Sequence, residues 1–252
     1  MMAFDLSALI ALGLCAGVVA GFFGIGGGTF IVPAMMAFGH DIKTAVGISI
    51  MQMIFSSVYG TYLNLKRSNL DAKDGIYVGI GGLFGASLSG VVVEAIPSKV
   101  LEIVFLLLVI YSIIRFSRPI VPKDSPPQSN MRNKIILITL GACTGVFAIS
   151  LGIGGGLLLA PILALYLGYD SKKIIPISLF FVIFSSFSGF LSLAYHGYVD
   201  YAHGITVGIA SLFGVSFGIW LISKTNAARH RKLLLLMYWV VLFFMLKRIF
   251  FA

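Results

Sequence analysis

The sequence predicts an all-α, polytopic membrane protein made of two homologous halves. Three observations support this fold class: an apolar composition, long uncharged segments and a glycine-rich motif that occurs twice. Of the 252 residues, 59% are hydrophobic and only 11% are charged, and the mean hydropathy is +1.02. A chain with so little polar surface cannot cover itself against water.

Four segments carry charges only at their ends and are long enough to cross a membrane, since about 30 Å of hydrocarbon takes about 20 helical residues. They are too long, and alternate too poorly, to be strands of a membrane barrel. Lipid also requires every backbone group to be paired within the protein, so helices are predicted. The segments are residues 6–40, 44–65, 135–170 and 174–200.

An internal duplication covers most of the chain. The motif Gly24-Ile-Gly-Gly-Gly28 recurs as Gly152-Ile-Gly-Gly-Gly156, 128 positions later. After a one-residue insertion the spacing becomes 129 and persists through Ile54-Phe-Ser-Ser57 and Ile183-Phe-Ser-Ser186. Such a register is the signature of a repeat. The further matches include Cys15 with Cys143, Pro33 with Pro161, Asp41 with Asp170, and Asp71 with Asp200.

A polar segment separates the two halves. Residues 115–134 contain four prolines and five basic residues, the composition of a solvated linker. We therefore predict a first transmembrane repeat at 1–116, a cytoplasmic linker at 117–134 and a second transmembrane repeat at 135–252.

The distribution of basic residues predicts how the halves are oriented. Each half has a leading apolar stretch interrupted by glycines and then three uninterrupted segments, at 44–65, 75–95 and 99–116 and at 173–195, 204–223 and 233–251. If each broken stretch is a hairpin, about eight membrane elements result and the halves are inverted. The 18 Lys and Arg then divide 14 to 4, with Lys43, Lys99, Lys247 and Arg248 on the minority side. The positive-inside rule favours this arrangement over a parallel one, with the linker in the cytoplasm.

The glycine clusters predict an anion site. Consecutive glycines weaken a helix, so each stretch should break and restart, which leaves unpaired N–H groups at the new N-terminus. Such a terminus attracts negative charge, and inverted repeats bring two of them together near the bilayer midplane. The alternative is that the glycines only allow close helix packing. A dinucleotide site is not supported, because that fingerprint needs a preceding strand.

Polar residues near the breaks complete the candidate substrate site. The helix after each hairpin carries hydroxyls on one face, although Gln52 of the first half is replaced by Phe181 in the second. The alternative role of these hydroxyls is helix packing. The candidate substrate-binding residues are Gly26, Gly27, Gly28, Thr29, Ser49, Gln52, Ser56, Gly154, Gly155, Gly156, Ser178 and Ser185.

Other polar residues have structural interpretations. The four matched aspartates precede apolar runs and are expected to cap helices. Cys15 and Cys143 are expected to be buried packing residues, and the four histidines to be unremarkable, with His196 and His203 solvated in a loop. No metal-ligand spacing, cofactor motif or catalytic constellation is present. The basic residues lie in short loops, which argues against a nucleic-acid partner.

The doubled motif resembles a known family. Gly-x-Gly-Gly-Gly followed by Val-Pro or Ala-Pro, here Gly24 to Pro33 and Gly152 to Pro161 with a serine-containing helix next, resembles the sulfite exporter TauE/SafE family, also called toluene sulfonate uptake permeases. The resemblance covers nearly the whole chain. It implies a multi-pass inner-membrane permease that moves sulfur-containing oxyanions or organosulfonates.

We therefore expect a permease of the inner or plasma membrane that exports a small anion, not an enzyme. An interior-negative potential drives an anion outward by about 2.3 kcal/mol per charge per 100 mV, so export needs no coupled ion. The alternatives are an uptake permease for organosulfonates, a proton-coupled carrier and a non-transporting scaffold subunit. The sequence does not indicate the oligomeric state.

Overall fold

The computed structural model describes residues 6–24, 26–67, 73–117, 131–155, 158–159, 163 and 171–251. Ten helices and no strand occur in these ranges. In chain order they are α1 Leu6–Phe23, α2 Gly28–Ala37, α3 Ile42–Arg67, α4 Lys73–Ala86, α5 Ser89–Ala95, α6 Ser98–Ser117, α7 Met131–Ser150, α8 Ser171–Tyr195, α9 Tyr201–Ser223 and α10 Ala227–Phe251.

The predicted all-α, polytopic membrane fold is confirmed. Six stretches of the described helices are long and apolar enough to cross a bilayer. The segment predicted at 75–95 is one of these stretches, and a turn at Ser87 and Leu88 divides it into α4 and α5. The six stretches are Leu6–Phe23, Ile42–Lys66, Gly75–Ala95, Ser98–Ser117, Ile177–Tyr195 and Tyr201–Ser223.

Both glycine clusters interrupt helices, as the sequence predicts. Gly24 and Gly26 have φ angles of 68° and 74°, and Gly152 and Gly154 have φ angles of 64° and 74°. These left-handed conformations suit glycine and end a right-handed helix. At the end of α7, the amide of Ile153 bonds to the Ala148 carbonyl (2.9 Å), which closes the helix in the manner of a Schellman motif.

The first broken stretch folds as a hairpin. Successive contacts show that α1 runs parallel to α9, so the start of α1 lies beside the start of α9. After the break, the ten-residue α2 returns to that same end, because the His40 ring lies 5.2 Å from the His203 ring. The contacts between α1 and α9 join Gly13 with Val207, Gly17 with Ser211 and Gly21 with Val215.

The equivalent helices α3 and α8 run in opposite directions. Gly47 near the start of α3 lies against the Tyr198 carbonyl just after α8, whereas Gly60 further along α3 lies against Leu179 near the start of α8. Inverted halves require this relation. The sides of the membrane on which the helix ends lie stay a prediction. We call the end with the α6 terminus and the α7 start the linker end, and the opposite end, with His40 and His203, the distal end.

The halves interlock through small residues. In α1 and α9, Gly17 and Gly214 allow backbones to meet, and in α4 and α7 Gly85 lies against the Ala142 backbone. Close approach of small residues is typical of membrane helix pairs. The expectation of buried cysteines is wrong, since Cys15 on α1 and Cys143 on α7 are both exposed. Both cysteine side chains point away from the helix contacts and lie on the outer surface of the bundle.

Candidate functional site

The two helix breaks meet inside the protein. The hydroxyl of Ser49 on α3 donates a buried 2.7 Å hydrogen bond to the carbonyl oxygen of Gly152 in the second break. Gly28, at the start of α2, lies so close that a Cβ there would overlap both that carbonyl and the Ser49 hydroxyl. The two candidate residues Gly28 and Ser49 of the first half therefore hold the second break against the first.

The start of α2 has backbone donors for which no acceptor is found among the described residues. Gly27 is its N-cap and supplies no side-chain cap. The amides of Phe30 and Ile31 both bond to the Gly27 carbonyl at 3.1 Å, whereas no described residue accepts from the amides of Gly28 and Thr29. Both residues are buried, so these N–H groups and the positive end of the helix dipole face the protein interior rather than bulk water.

Three predicted site residues carry buried polar groups without partners in the described part of the chain. The Gln52 side chain is 0% exposed, and both its amide oxygen and its amide nitrogen lack a hydrogen bond. This amide faces Gly27, where a Cβ would lie 2.8 Å from Oε1 and 2.9 Å from Nε2. The hydroxyls of Thr29 and Ser178 are buried and unpaired as well. Each such group costs about 1–3 kcal/mol, which a bound polar ligand removes.

The second break is built differently. The Leu159 amide bonds to the Gly155 carbonyl at 2.7 Å, as the Ile31 amide does to the Gly27 carbonyl, and residues 158–159 are helical. The neighbour of Gly155 is the ring of Phe181. Of the other candidates in this half, Gly154 lies in the break with its left-handed φ angle, and Gly156 falls outside the described residues.

Besides Ser49, two further predicted donors are already engaged. The Ser56 hydroxyl donates to the Met53 carbonyl at 3.3 Å, and the Ser185 hydroxyl donates to the Phe181 carbonyl at 2.7 Å. Serines in helices often bond back in this way to the preceding turn. The structure therefore brings Gly26, Gly27, Gly28, Thr29, Gln52 and Ser49 to one place, and leaves Ser56 and Ser185 with their protons used by their own helices.

Comparison with known proteins places the chain among membrane transporters. The family model described as sulfite exporter TauE/SafE matches residues 9–245. The chain belongs to the TauE/SafE family. No solved structure matches it significantly. Similar proteins include the probable membrane transporter protein YunE of Bacillus subtilis, 26% identical over 89% of this chain and 88% of its own length, and a probable membrane transporter protein of Methanocaldococcus jannaschii, 29% identical over 90% of each chain.

Membership of the TauE/SafE family confirms the resemblance that the doubled motif indicates. The chain is a multi-pass membrane transporter for a small substrate and not an enzyme, since the family and both relatives are described as transporters. The break region is the place in this family member where glycine backbone, buried amide and buried hydroxyls converge. It is therefore our candidate substrate site.

Contacts that sequence reasoning missed also shape the break. Gly26 is flanked by Met53, whose sulfur would lie 3.1 Å from a Cβ, and by Val182, at 3.8 Å. His230, at the start of α10, donates from Nε2 to the Phe22 carbonyl at the end of α1, 3.1 Å away. We expected His230 to be unremarkable. No local signal marks this contact, because it joins residues far apart in the sequence.

At the distal end, a cluster of titratable side chains contradicts the expectation that His203 is simply solvated in a loop. The His203 ring bonds to the Asp200 carboxylate at 2.6 Å and is not simply solvated. Burial opposes ionisation of Asp200, but hydrogen bonds from the His203 amide and ring outweigh it and hold the pKa of Asp200 below 3.8. Burial and nearby His203 lower the pKa of His40 below 6.5, partly offset by Asp200.

Aspartate capping, which we expected at four positions, is seen at two. Asp200 accepts from the His203 amide and caps α9, and Asp41 accepts from the Lys43 amide at the start of α3. Asp71 and Asp170 lie outside the described residues.

Proposed function

We propose that the chain is a permease of the inner or plasma membrane that exports a small sulfur oxyanion, with sulfite as the leading substrate, through a site between the two glycine breaks. The candidate residues of the first break bind the anion. The second break closes the site from the other half, and movement of the halves exposes the anion to one side of the membrane and then to the other.

The observation that carries the proposal is the unpaired Gln52 amide. It is fully buried and faces the N-cap Gly27, which directly precedes the amides of Gly28 and Thr29, for which no described residue is an acceptor. A buried amide without a partner is costly, and an anion would accept from its NH₂ group as well as from the backbone. Neutral donors and a helix dipole bind an oxyanion without a buried lysine or arginine.

Charge distribution supports export. By helix order, 14 of the 18 basic residues belong to the linker end, which the positive-inside rule assigns to the cytoplasm. A basic entrance attracts anions from that side. The membrane potential then drives each negative charge outward. The TauE/SafE description of the matching family agrees with this direction.

Reconstitution tests the proposal. Proteoliposomes loaded with sulfite and given an interior-negative potassium diffusion potential should release sulfite faster than empty liposomes, and collapse of the potential should slow the release. Thr29→Val should reduce this flux by at least about tenfold, because it removes a hydroxyl from the site without changing the shape of the side chain.

A matched control is Thr61→Val. The Thr61 hydroxyl on α3 is also buried and unpaired among the described residues, but it lies nine positions beyond Gln52, about 13 Å along the helix. This variant should keep wild-type flux. Absence of protein-dependent flux for sulfite and for organosulfonates would overturn the proposal and favour a non-transporting subunit.

A further inference from the structure

Two pairs of helices beside the site make equivalent contacts in the two halves. Phe184 on α8 packs on Gly79 of α4, and Phe55 on α3 packs on Gly208 of α9 in the same way. Each residue of the second pair is related to one of the first by the 129-residue repeat spacing. One turn earlier the same relation joins Phe180 with Gly75 and Met51 with Gly204. In these four helices the two halves therefore pack in the same way.

One equivalent pair breaks this symmetry. In the first half Gln52 faces Gly27, and in the second half Phe181 occupies the equivalent position and faces Gly155. The Phe181 ring is fully buried between Gly155 and Gly82, where Cβ atoms would overlap it. The repeat equivalent of Gly82 is Ser211, whose hydroxyl bonds to the Gly208 carbonyl of its own helix. The glycine at position 82 makes room for the ring.

The hydroxyls around the two breaks also differ in whether they have a hydrogen-bond partner. Ser49 donates to Gly152, whereas its repeat equivalent Ser178 is buried with no described partner. Thr29 has an unpaired hydroxyl, and the repeat puts Leu157 in its place in the second half. Among the described residues, the groups without partners therefore lie on α2, Gln52 and Ser178, while in the second break the Gly152 carbonyl is bonded and Gly155 is covered by the Phe181 ring.

We propose that Phe181 is a specificity-determining residue that closes the second break and makes the substrate site one-sided. Its ring covers Gly155, and the apolar side chains of Met53 and Val182 lie beside Gly26. An anion in this site has hydrogen-bond donors on one side and hydrocarbon on the other. This inference rests on the proposed function and names which sulfur anions the site accepts.

The shape of the anion follows from this arrangement. Sulfite and sulfonates carry three oxygens on one side of sulfur, with a lone pair or a carbon on the other. Sulfate carries oxygens on all sides, so at least one would lie against the Phe181 wall without a donor. Leaving a buried charged oxygen unpaired is strongly unfavourable, so Phe181 excludes sulfate and admits sulfite and methanesulfonate.

Competition in proteoliposomes tests this on the wild-type protein. Excess methanesulfonate should inhibit sulfite efflux, and the same concentration of sulfate should leave it unchanged. The variant Phe181→Gln should raise sulfate flux by at least about tenfold, because it gives the second half the side-chain amide that Gln52 supplies in the first half. Phe184→Gln, which puts the same group one turn away against Gly79, should leave sulfate excluded.

The results separate this inference from the proposed function. Sulfite efflux that sulfate inhibits as strongly as methanesulfonate does would refute the role of Phe181 while leaving the transporter intact. Unchanged sulfate exclusion in Phe181→Gln would refute it too. If Phe181→Gln fails to insert, the wild-type competition still decides. Absence of efflux for every sulfur anion would instead refute the proposed function.

Discussion

The Ser49 hydroxyl donates a 2.7 Å hydrogen bond to the Gly152 carbonyl, and this contact joins the helix break of one half to a helix of the other. Ser49→Ala should lower the free energy of unfolding by about 1–2 kcal/mol, because a buried carbonyl loses its partner. Thermal unfolding of the purified protein in detergent measures this. Ser87→Ala should have little effect, because the exposed Ser87 hydroxyl only bonds back to the Phe84 carbonyl. Equal losses in both variants would contradict the contact.

Gly28 is the position where the breaks touch most closely. A methyl group in Gly28→Ala would overlap the Gly152 carbonyl, so we expect transport to fall at least about tenfold and the protein to lose about 1–3 kcal/mol. Gly60→Ala is the control. There the nearest atom is a Val215 methyl at 3.6 Å, and alanine also favours the helix, so flux should persist and stability should rise by up to about 1 kcal/mol.

Gln52 should show opposite effects on stability and transport. Gln52→Leu removes an unpaired buried amide and puts an apolar side chain of similar length in its place. We therefore expect the melting temperature to stay equal or rise, while sulfite flux falls at least about tenfold. Flux and unfolding are measured on the same preparation. A lower melting temperature together with full transport would mean that Gln52 only supports packing.

Acidification should loosen the distal end. The lowered pKa of His40 means that the folded state binds its proton less readily than the unfolded chain does. The contribution of His40 to the free energy of unfolding is therefore fully present above pH 6.5 and declines as the pH falls below 6.5. The lowered pKa of Asp200 adds a loss only below 3.8. Melting temperatures between pH 7 and about 5 should fall in the wild type.

His40→Gln should reduce that decline, and His230, whose pKa burial also lowers, accounts for the remainder. His196→Gln is the comparison, because His196 lies at the same end against Ser192 and Glu94. It should keep the wild-type slope. A slope that His40→Gln leaves unchanged would assign the pH effect to another group.

The direction of the halves can be tested by labelling. Cysteines introduced at Asp5 and Ser125, in a background that replaces the exposed Cys15 and Cys143, should react with an impermeant reagent from opposite sides of the membrane. Inverted halves place the N-terminus outside and the linker in the cytoplasm. Reaction of both from the same side would refute the inverted arrangement.

Local sequence signals were enough to predict the membrane fold, the repeat and the helix breaks. Glycines at 24 and 152 dictate a local backbone geometry, and long apolar runs dictate spanning helices. The hydroxyl of Ser56 shows the limit of such reasoning. Its position on a helix face is predictable, but its choice between a ligand and the Met53 carbonyl depends on the packed structure.

Contacts between distant residues could not be predicted. The bond from His230 to the Phe22 carbonyl and the wedge of Phe181 between Gly82 and Gly155 depend on how the halves interlock. The substitution of Gln52 by Phe181 in the repeat is visible in the sequence. Its consequence depends on how each side chain packs against the break of its own half.

The central claim is that unpaired groups at the first break bind an anion, and ligand-induced stabilisation tests it most directly. Melting curves of the wild type and of Gln52→Leu are recorded with rising sulfite and methanesulfonate at constant ionic strength. A ligand that binds only the folded state raises its melting temperature. We predict a saturable rise for the wild type and none for Gln52→Leu. No rise for either anion, or equal rises in both proteins, would contradict the claim.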